Sequence, residues 1–164
     1  MRRYFPLPSI NFVLIRQATP EDIPHIRALE CESETAAHWA EREYSALFSP
    51  DAPRRVALVA RSDTGAELQG FAIARCLSQD WEIENVVVAP ERRRLGIGSA
   101  LVAEVVQRAR IGGATSVLLE VRESNVAALR LYETLGFSPI GRRPGYYREP
   151  LEAALLLKIS ISVL

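Results

Sequence analysis

Residues 81–111 read WEIENVVVAPERRRLGIGSALVAEVVQRARI, a strand pattern that passes through two glycines into a helix pattern. Residues 81–88 are rich in Val, Ile and Trp and stop at Ala89 and Pro90, which predicts a strand. From about residue 98 to 111 the apolar residues recur at helical spacing until Gly112 and Gly113 end the pattern. Arg93, Arg94, Leu95, Gly96, Ile97, Gly98 and Ser99 occupy the passage from strand to helix. The first N–H groups of a helix have no backbone partner, and together with the helix dipole they attract anions. At Gly96 and Gly98 the missing Cβ lets the backbone approach a phosphate oxygen, while Arg93 and Arg94 supply positive charge. The arrangement suits a pyrophosphate. An ordinary loop with two turn glycines and solvated arginines would carry the same letters, so the surroundings must discriminate. A Walker loop needs Gly-Lys-Ser/Thr, which is absent, and a dinucleotide fingerprint needs a small residue where Leu101 stands.

Working outward, residues 12–15 form a short apolar run followed by Thr19, Pro20 and Asp22, the chemistry of a helix start. A helix is expected over 20–30, with Ile23, Ile26 and Leu29 on one face, and a second over 37–48, ended by Ser49 and Pro50. Residues 56–61 and 68–77 read as a hairpin around 62–65. Downstream, 117–121 is a further strand, Ser124 is expected to cap a helix reaching Leu135, and Gly136 takes the left-handed position after it. Strands near 138–142 and 153–160 close the chain. The order predicts a single α/β (α+β) domain over 1–164, with a mixed sheet, helices on both faces and an N-terminal arm at 1–11.

The 164 residues are 48% apolar, enough for one core, and 20 basic side chains balance 20 acidic ones. That balance lacks the basic footprint of a nucleic-acid-binding protein, so a small molecule or a protein surface is the expected partner. No apolar run approaches the roughly 18 residues of a membrane span, and Pro6, Pro8 and Asn11 interrupt any secretory signal, so a cytoplasmic protein without membrane contact is expected. Cys31 and Cys76 are read as buried, inert thiols, because neither has a histidine and carboxylate at catalytic spacing. His25 and His38, each placed in a helix, have no companion ligand, and no metal is expected.

Arg93-Arg94-Leu95-Gly96-Ile97-Gly98 resembles the Arg/Gln-x-x-Gly-x-Gly/Ala signature of the GNAT acetyltransferases. Leu119-Glu120-Val121-Arg122, Ser124-Asn125, Leu131-Tyr132-Glu133, Leu135-Gly136-Phe137 and the pair Arg142-Arg143 with Tyr146-Tyr147 resemble the RimI-type ribosomal-protein N-acetyltransferases in particular. The likeness spans about residues 12–160 and is specific from Asn85 onward. It implies a GNAT-like central mixed, mostly antiparallel sheet flanked by helices. It also implies acetyl-coenzyme A as cosubstrate, and direct transfer of its acetyl group to the N-terminal α-amine of a protein, a small-subunit ribosomal protein being the family's acceptor.

Direct transfer to an amine needs a base for the amine, polarisation of the thioester carbonyl and an acid for the leaving thiolate. Glu120 lies in an otherwise apolar strand, where desolvation suits a carboxylate to base work, and the resemblance assigns it that role. A carboxylate simply paired with Arg122 or another arginine is the plainer alternative. Tyr132 shares a helix face with Ala128 and Leu129 and is implied by the resemblance as general acid, although a core aromatic would look the same. Asn125 is a helix cap or, by resemblance, a cofactor contact. Val86, Val87 and Val88 match the strand whose backbone contacts the acetyl and pantetheine portions, and that strand is expected to splay from the one carrying Glu120. Glu82 and Glu84 could bind a cationic amine or be solvated charges, and Tyr146 and Tyr147 are expected on a loop over an acceptor groove. His38-Trp39 stands where related enzymes often carry Pro-Trp, a departure in the region that shapes acceptor choice. A small-molecule amine acetyltransferase and a catalytically silent acyl-coenzyme A-binding module remain the competing functions.

Overall fold

The structure is a computed structural model that describes residues 3–6, 12–33 and 36–162, the first of these segments by its backbone alone. Among the described residues eight strands form one sheet: β1 (Arg3–Pro6), β2 (Phe12–Gln17), β3 (Arg55–Arg61), β4 (Leu68–Cys76), β5 (Asp80–Val88), β6 (Ser116–Arg122), β7 (Ser138–Arg148) and β8 (Leu151–Ser160). Four α-helices accompany them among the described residues: α1 (Ile23–Cys31), α2 (Glu41–Ala46), α3 (Ile97–Ile111) and α4 (Val126–Thr134). The sheet order is β1-β2-β3-β4-β5-β6-β8-β7, and among the described residues only β5 and β6 pair in parallel. That one parallel step follows from α3, which carries the chain across the sheet between the two strands.

The alternation of the strands sorts apolar side chains to two faces. On one, Leu58, Ala72, Trp81, Ile83, Val117 and Leu119 pack beneath Leu101, Val102 and Val105 of α3. On the other, Val59, Phe71, Ile73 and Val87 pack against Ile26 and Leu29 of α1 and Tyr44 of α2. The expected mixed sheet with helices on both faces is therefore present, predominantly antiparallel.

Several boundaries differ from the sequence expectation. Residues 3–6 of the expected arm pair with β2 from Arg3↔Ile15 to Pro6↔Phe12, and residues 1, 2 and 7–11 lie outside the described residues. The second helix is shorter than 37–48, because residues 37–40 are not helical and His38 has a positive φ of 51°. Asn125, not Ser124, caps α4: its side chain accepts from the N–H of Ala128 at 3.2 Å. Gly136 does take the left-handed conformation, φ 91°. The last two strands extend further than their apolar cores suggest, and β8 rather than β7 lies beside β6.

Two irregularities shape the centre of the molecule. Ile73 faces Asn85 while Ala74 faces Ile83, so Glu84 is an extra residue on β5, a bulge. The bulge inverts the alternation: Trp81 and Ile83 point to the α3 face, and beyond it Val86 and Val88 do so while Val87 joins the α1 face. The parallel pairing of β5 with β6 runs only from Asp80↔Ser116 to Ile83↔Leu119 and ends at the bulge. On β7, Arg143 faces Ala154 and Tyr147 faces Glu152, so residues 144–146 stand opposite Ala153 alone.

Candidate active site

Where β5 and β6 part, a cavity of about 560 Å³ opens, within the roughly 300–1,000 Å³ usual for ligand sites. Its walls include Glu82, Glu84, Asn85 and Val86 of β5, Glu120 and Arg122 of β6, Asn125, Ala128 and Tyr132 around α4, and Tyr146 and Tyr147 of β7. Ala36, Ala37 and His38 close another side. The expected splay is thus real, and it leaves the β6-facing backbone groups of β5 beyond Ile83 without a strand partner.

Glu120 and Tyr132, singled out on the sequence, face this one cavity from different elements. Glu120 is not alone in an apolar strand: Arg143 of β7 pairs with it at 3.0 Å. Arg122 is occupied elsewhere, its guanidinium bonded to Glu152 and to the Glu149 carbonyl and stacked 4.0 Å from the Tyr147 ring. Tyr132 is buried and sets its ring edge-on to Phe137 at 5.7 Å. Burial, with a smaller contribution from neighbouring Tyr147, pushes its phenol up to about 12. The Tyr132 hydroxyl therefore keeps its proton at neutral and mildly alkaline pH. Hydrogen bonding with Glu120, then burial, pushes the Tyr146 phenol up to about 12 as well.

Tyr146 and Tyr147 sit on a strand, not on the loop expected, and the bulge at 144–146 brings them to the cavity. Their rings meet edge to face at 5.1 Å. Glu82 and Glu84 are held by arginines of neighbouring strands instead of lying solvated: Arg75 bonds Glu82, and Arg55 grips Glu84 through two bonds of 2.6 and 3.1 Å. Arg55 in turn lies 5.2 Å from the Trp39 ring.

The sequence marked His38 only as part of a departure in the region that shapes acceptor choice, and did not point to Ala36 and Ala37 as cavity walls. His38 lines the cavity from non-helical backbone. Its segment is tied to the sheet by buried Glu30, whose carboxylate accepts from the Trp39 N–H at 3.2 Å and from the Asn85 amide at 2.9 Å. The only sequence signal for this was a polar Asn85 within an apolar strand.

The expected phosphate cradle lies where β5 gives way to α3, beyond the residues that line the cavity. Arg94 and Gly96 both have left-handed backbone, φ 62° and 86°, and Gly96 caps the start of α3. The N–H groups of Ile97, Gly98 and Ser99 follow in its first turn, before the regular ladder takes up its donors. Arg93 reaches back to the Val88 carbonyl at 3.2 Å, and Arg94 is exposed. Gly98 serves a packing purpose in addition to the one expected: a Cβ there would stand 2.9 Å from the Leu131 side chain, so its absence lets α4 lie against α3. The side chains of Ile97 and Val87 are core, Leu95 and Ser99 are half-buried, and Val86 and Val88 pack at the core margin. Left-handed turn, free helix N–H groups and a splayed strand fit an elongated thioester cosubstrate with a pyrophosphate.

Cys31 is exposed and Cys76 half-buried, which corrects the expectation of two buried thiols; burial pushes the Cys76 thiol up. No group of three or more His, Cys, Asp or Glu that could hold a metal is found among the described residues. No helix among them is long and apolar enough to cross a membrane.

Comparison with known proteins agrees with this geometry. The Acetyltransferase (GNAT) family profile matches residues 22–137. A ribosomal protein bS18-alanine N-acetyltransferase of Salmonella typhimurium is 30% identical over 156 residues, covering 94% of this chain and 100% of that protein. The enzyme of the same name from Escherichia coli K12 is 33% identical over 99 residues, 59% of this chain and 67% of its own. A crystal structure of the Escherichia coli ribosomal-protein-S18-alanine N-acetyltransferase superposes with a TM-score of 0.79 at 26% identity, covering 93% of this chain and 96% of that one. The chain belongs to the acetyltransferase (GNAT) family and is an acetyl-coenzyme A-dependent N-acyltransferase.

Proposed function

We propose that the protein acetylates the N-terminal α-amine of a protein, with a ribosomal protein of the small subunit as acceptor and the cytoplasm as its place of work. The observation that carries this reading is the cavity that Glu120 and Tyr132 line together with Tyr146, Tyr147 and residues 36–38. A peptide terminus can enter such a groove as an extended chain, and the two relatives of matching name act on the alanine terminus of ribosomal protein bS18.

In the proposed mechanism the N–H groups of Ile97, Gly98 and Ser99, with Gly96, Arg93 and Arg94, hold the pyrophosphate. The β6-facing backbone groups of β5 over Val86, Val87 and Val88, without a strand partner where β6 has departed, take the pantetheine amides and orient the thioester carbonyl, and the Asn125 amide, whose NH₂ its capping bond leaves unused, adds a contact. Glu120 accepts the proton of the attacking amine, directly or through water. Tyr132 donates its proton to the departing sulfur. Its raised phenol suits that role, because a hydroxyl that stays protonated remains a donor across the working pH range.

Release of free coenzyme A from acetyl-coenzyme A, with an Ala-starting peptide, the same peptide with a blocked amine, and a polyamine as acceptors, tests the reading. Release with the free peptide alone supports it. Release with the polyamine alone turns the assignment to small-molecule acetylation.

A further inference from the structure

We propose that Arg143 determines acceptor specificity: its guanidinium occupies the place of the acceptor's ammonium against Glu120, so only an acceptor bringing its own cation displaces it and reaches the carboxylate. The proposal deepens the reading of Glu120 as the base and rests on it.

The two partners of the pair are unequal. The Glu120 side chain is 17% exposed and that of Arg143 is 55% exposed, so the carboxylate is the fixed member and the guanidinium reaches it from the solvent side. Arg143 stands on β7, the edge strand, immediately before the bulge at 144–146, where Gly145 has a left-handed φ of 60°. Its guanidinium also lies 5.7 Å from the Tyr146 ring, whose face offers a resting place once the carboxylate is surrendered.

The other carboxylates of the cavity are held differently. Arg55 reaches Glu84 from β3 by two bonds, with both side chains less than one-fifth exposed, and Arg75 reaches Glu82 from the adjacent β4. Arg122 is engaged with Glu152. Glu120 therefore carries the most exposed arginine of these pairs. Exchange of one cation for another leaves it paired throughout entry. A neutral acceptor would have to expel Arg143 and leave a largely buried carboxylate without a counter-charge, which is costly. The chemical class selected is a protonated amine, a cation able to take the guanidinium's place on Glu120.

Steady-state kinetics of Arg143→Ala with an Ala-starting peptide tests this. Removing the internal competitor should lower the acceptor KM by roughly two- to fivefold, the equivalent of a partly exposed ion pair, with the effect on the acceptor KM and not on that for acetyl-coenzyme A. Arg143→Lys, which restores a cation, should return the KM toward the wild-type value. In a Glu120→Gln background, peptide Kd measured by calorimetry with coenzyme A present should no longer respond to Arg143→Ala, because no carboxylate remains to compete for. A raised or unchanged acceptor KM in Arg143→Ala, or an undiminished effect of that substitution in the Glu120→Gln background, overturns the proposal. Wild-type turnover by Glu120→Gln alone would remove the base assignment instead, and the calorimetric comparison would still decide the role of Arg143.

Discussion

At the Glu120 carboxylate the environment comes from two separate stretches of chain: β6 carries it, and β7 brings Arg143, which pairs with it, and Tyr146, whose phenol it helps to raise. If it takes the amine's proton, Glu120→Gln should lower kcat by about 10²–10⁴, the usual worth of general base catalysis, while acetyl-coenzyme A still binds. Tyr132→Phe should lower kcat without loss of fold, since the ring and its contact with Phe137 persist. With its phenol raised to about 12, Tyr132 loses its proton only far above neutrality, so kcat should show no alkaline decline from this group below that value. A falling limb near pH 8–9 that vanished in Tyr132→Phe would contradict its role. Glu120, Tyr132 and Asn125 were legible in the sequence because they sit in local motifs. Arg143 was visible as part of such a motif, but its contact was not, since that depends on the sheet order and on a bulge that no local pattern announces.

Among the elements, β5 does most to create the site. Its bulge at Glu84 ends the pairing with β6, turns Asn85 toward Glu30 and redirects Val86 and Val88 to the α3 face. The strand itself was evident from its composition, whereas the bulge was hidden because the burial pattern still alternates through it. Residues 37–40 looked helical because they continue into α2, yet Glu30 draws the Trp39 N–H away from a helical ladder. Asn85→Ala should loosen this segment and raise the acceptor KM severalfold, leaving that for acetyl-coenzyme A in place; an unchanged acceptor KM would show that the tie does not position the groove. The β4–α3 contact makes a second prediction. A Cβ at Gly70 would lie 2.8 Å from the Val87 carbonyl oxygen and 3.3 Å from both Ile97 and Leu101, so Gly70→Ala should destabilise by about 1–3 kcal/mol in urea unfolding.

For the whole molecule, the periodicities of strands and helices were sufficient to read one mixed sheet covered on both faces, because each face must bury its own apolar set. The crossing of the final hairpin, which puts β8 inside β7, rests on the contrast between the apolar run of β8 and the Gly-, Pro- and Arg-rich β7, which leaves β7 exposed at the edge. One buried network joins the N-terminal elements: Asp22 accepts from Arg16 at 2.6 and 2.9 Å, from Arg61 at 2.7 Å and from the Thr19 N–H at 2.9 Å. Burial alone would push the Asp22 carboxyl up, but the bonds from Arg16, Thr19 and Arg61 outweigh it and hold the group well below the usual carboxylate range. A depressed folded value contributes stability that is present above the unfolded value of about 3.9 and is lost as pH falls through the folded value. Unfolding free energy should therefore decline below about pH 4, and Asp22→Asn should cost about 3–5 kcal/mol at neutral pH and flatten that acid dependence.

Transfer of an acetyl group to a chain-terminal amine through Glu120 is open to a direct check by mass spectrometry. An Ala-starting peptide is incubated with acetyl-coenzyme A and either the wild-type protein or Glu120→Gln. A single added acetyl group on the α-amine is expected with the wild type, and a rate lower by at least about a hundredfold with the variant. Acetylation at equal rates by both, or none by the folded wild-type protein while a polyamine is acetylated, would contradict this transfer.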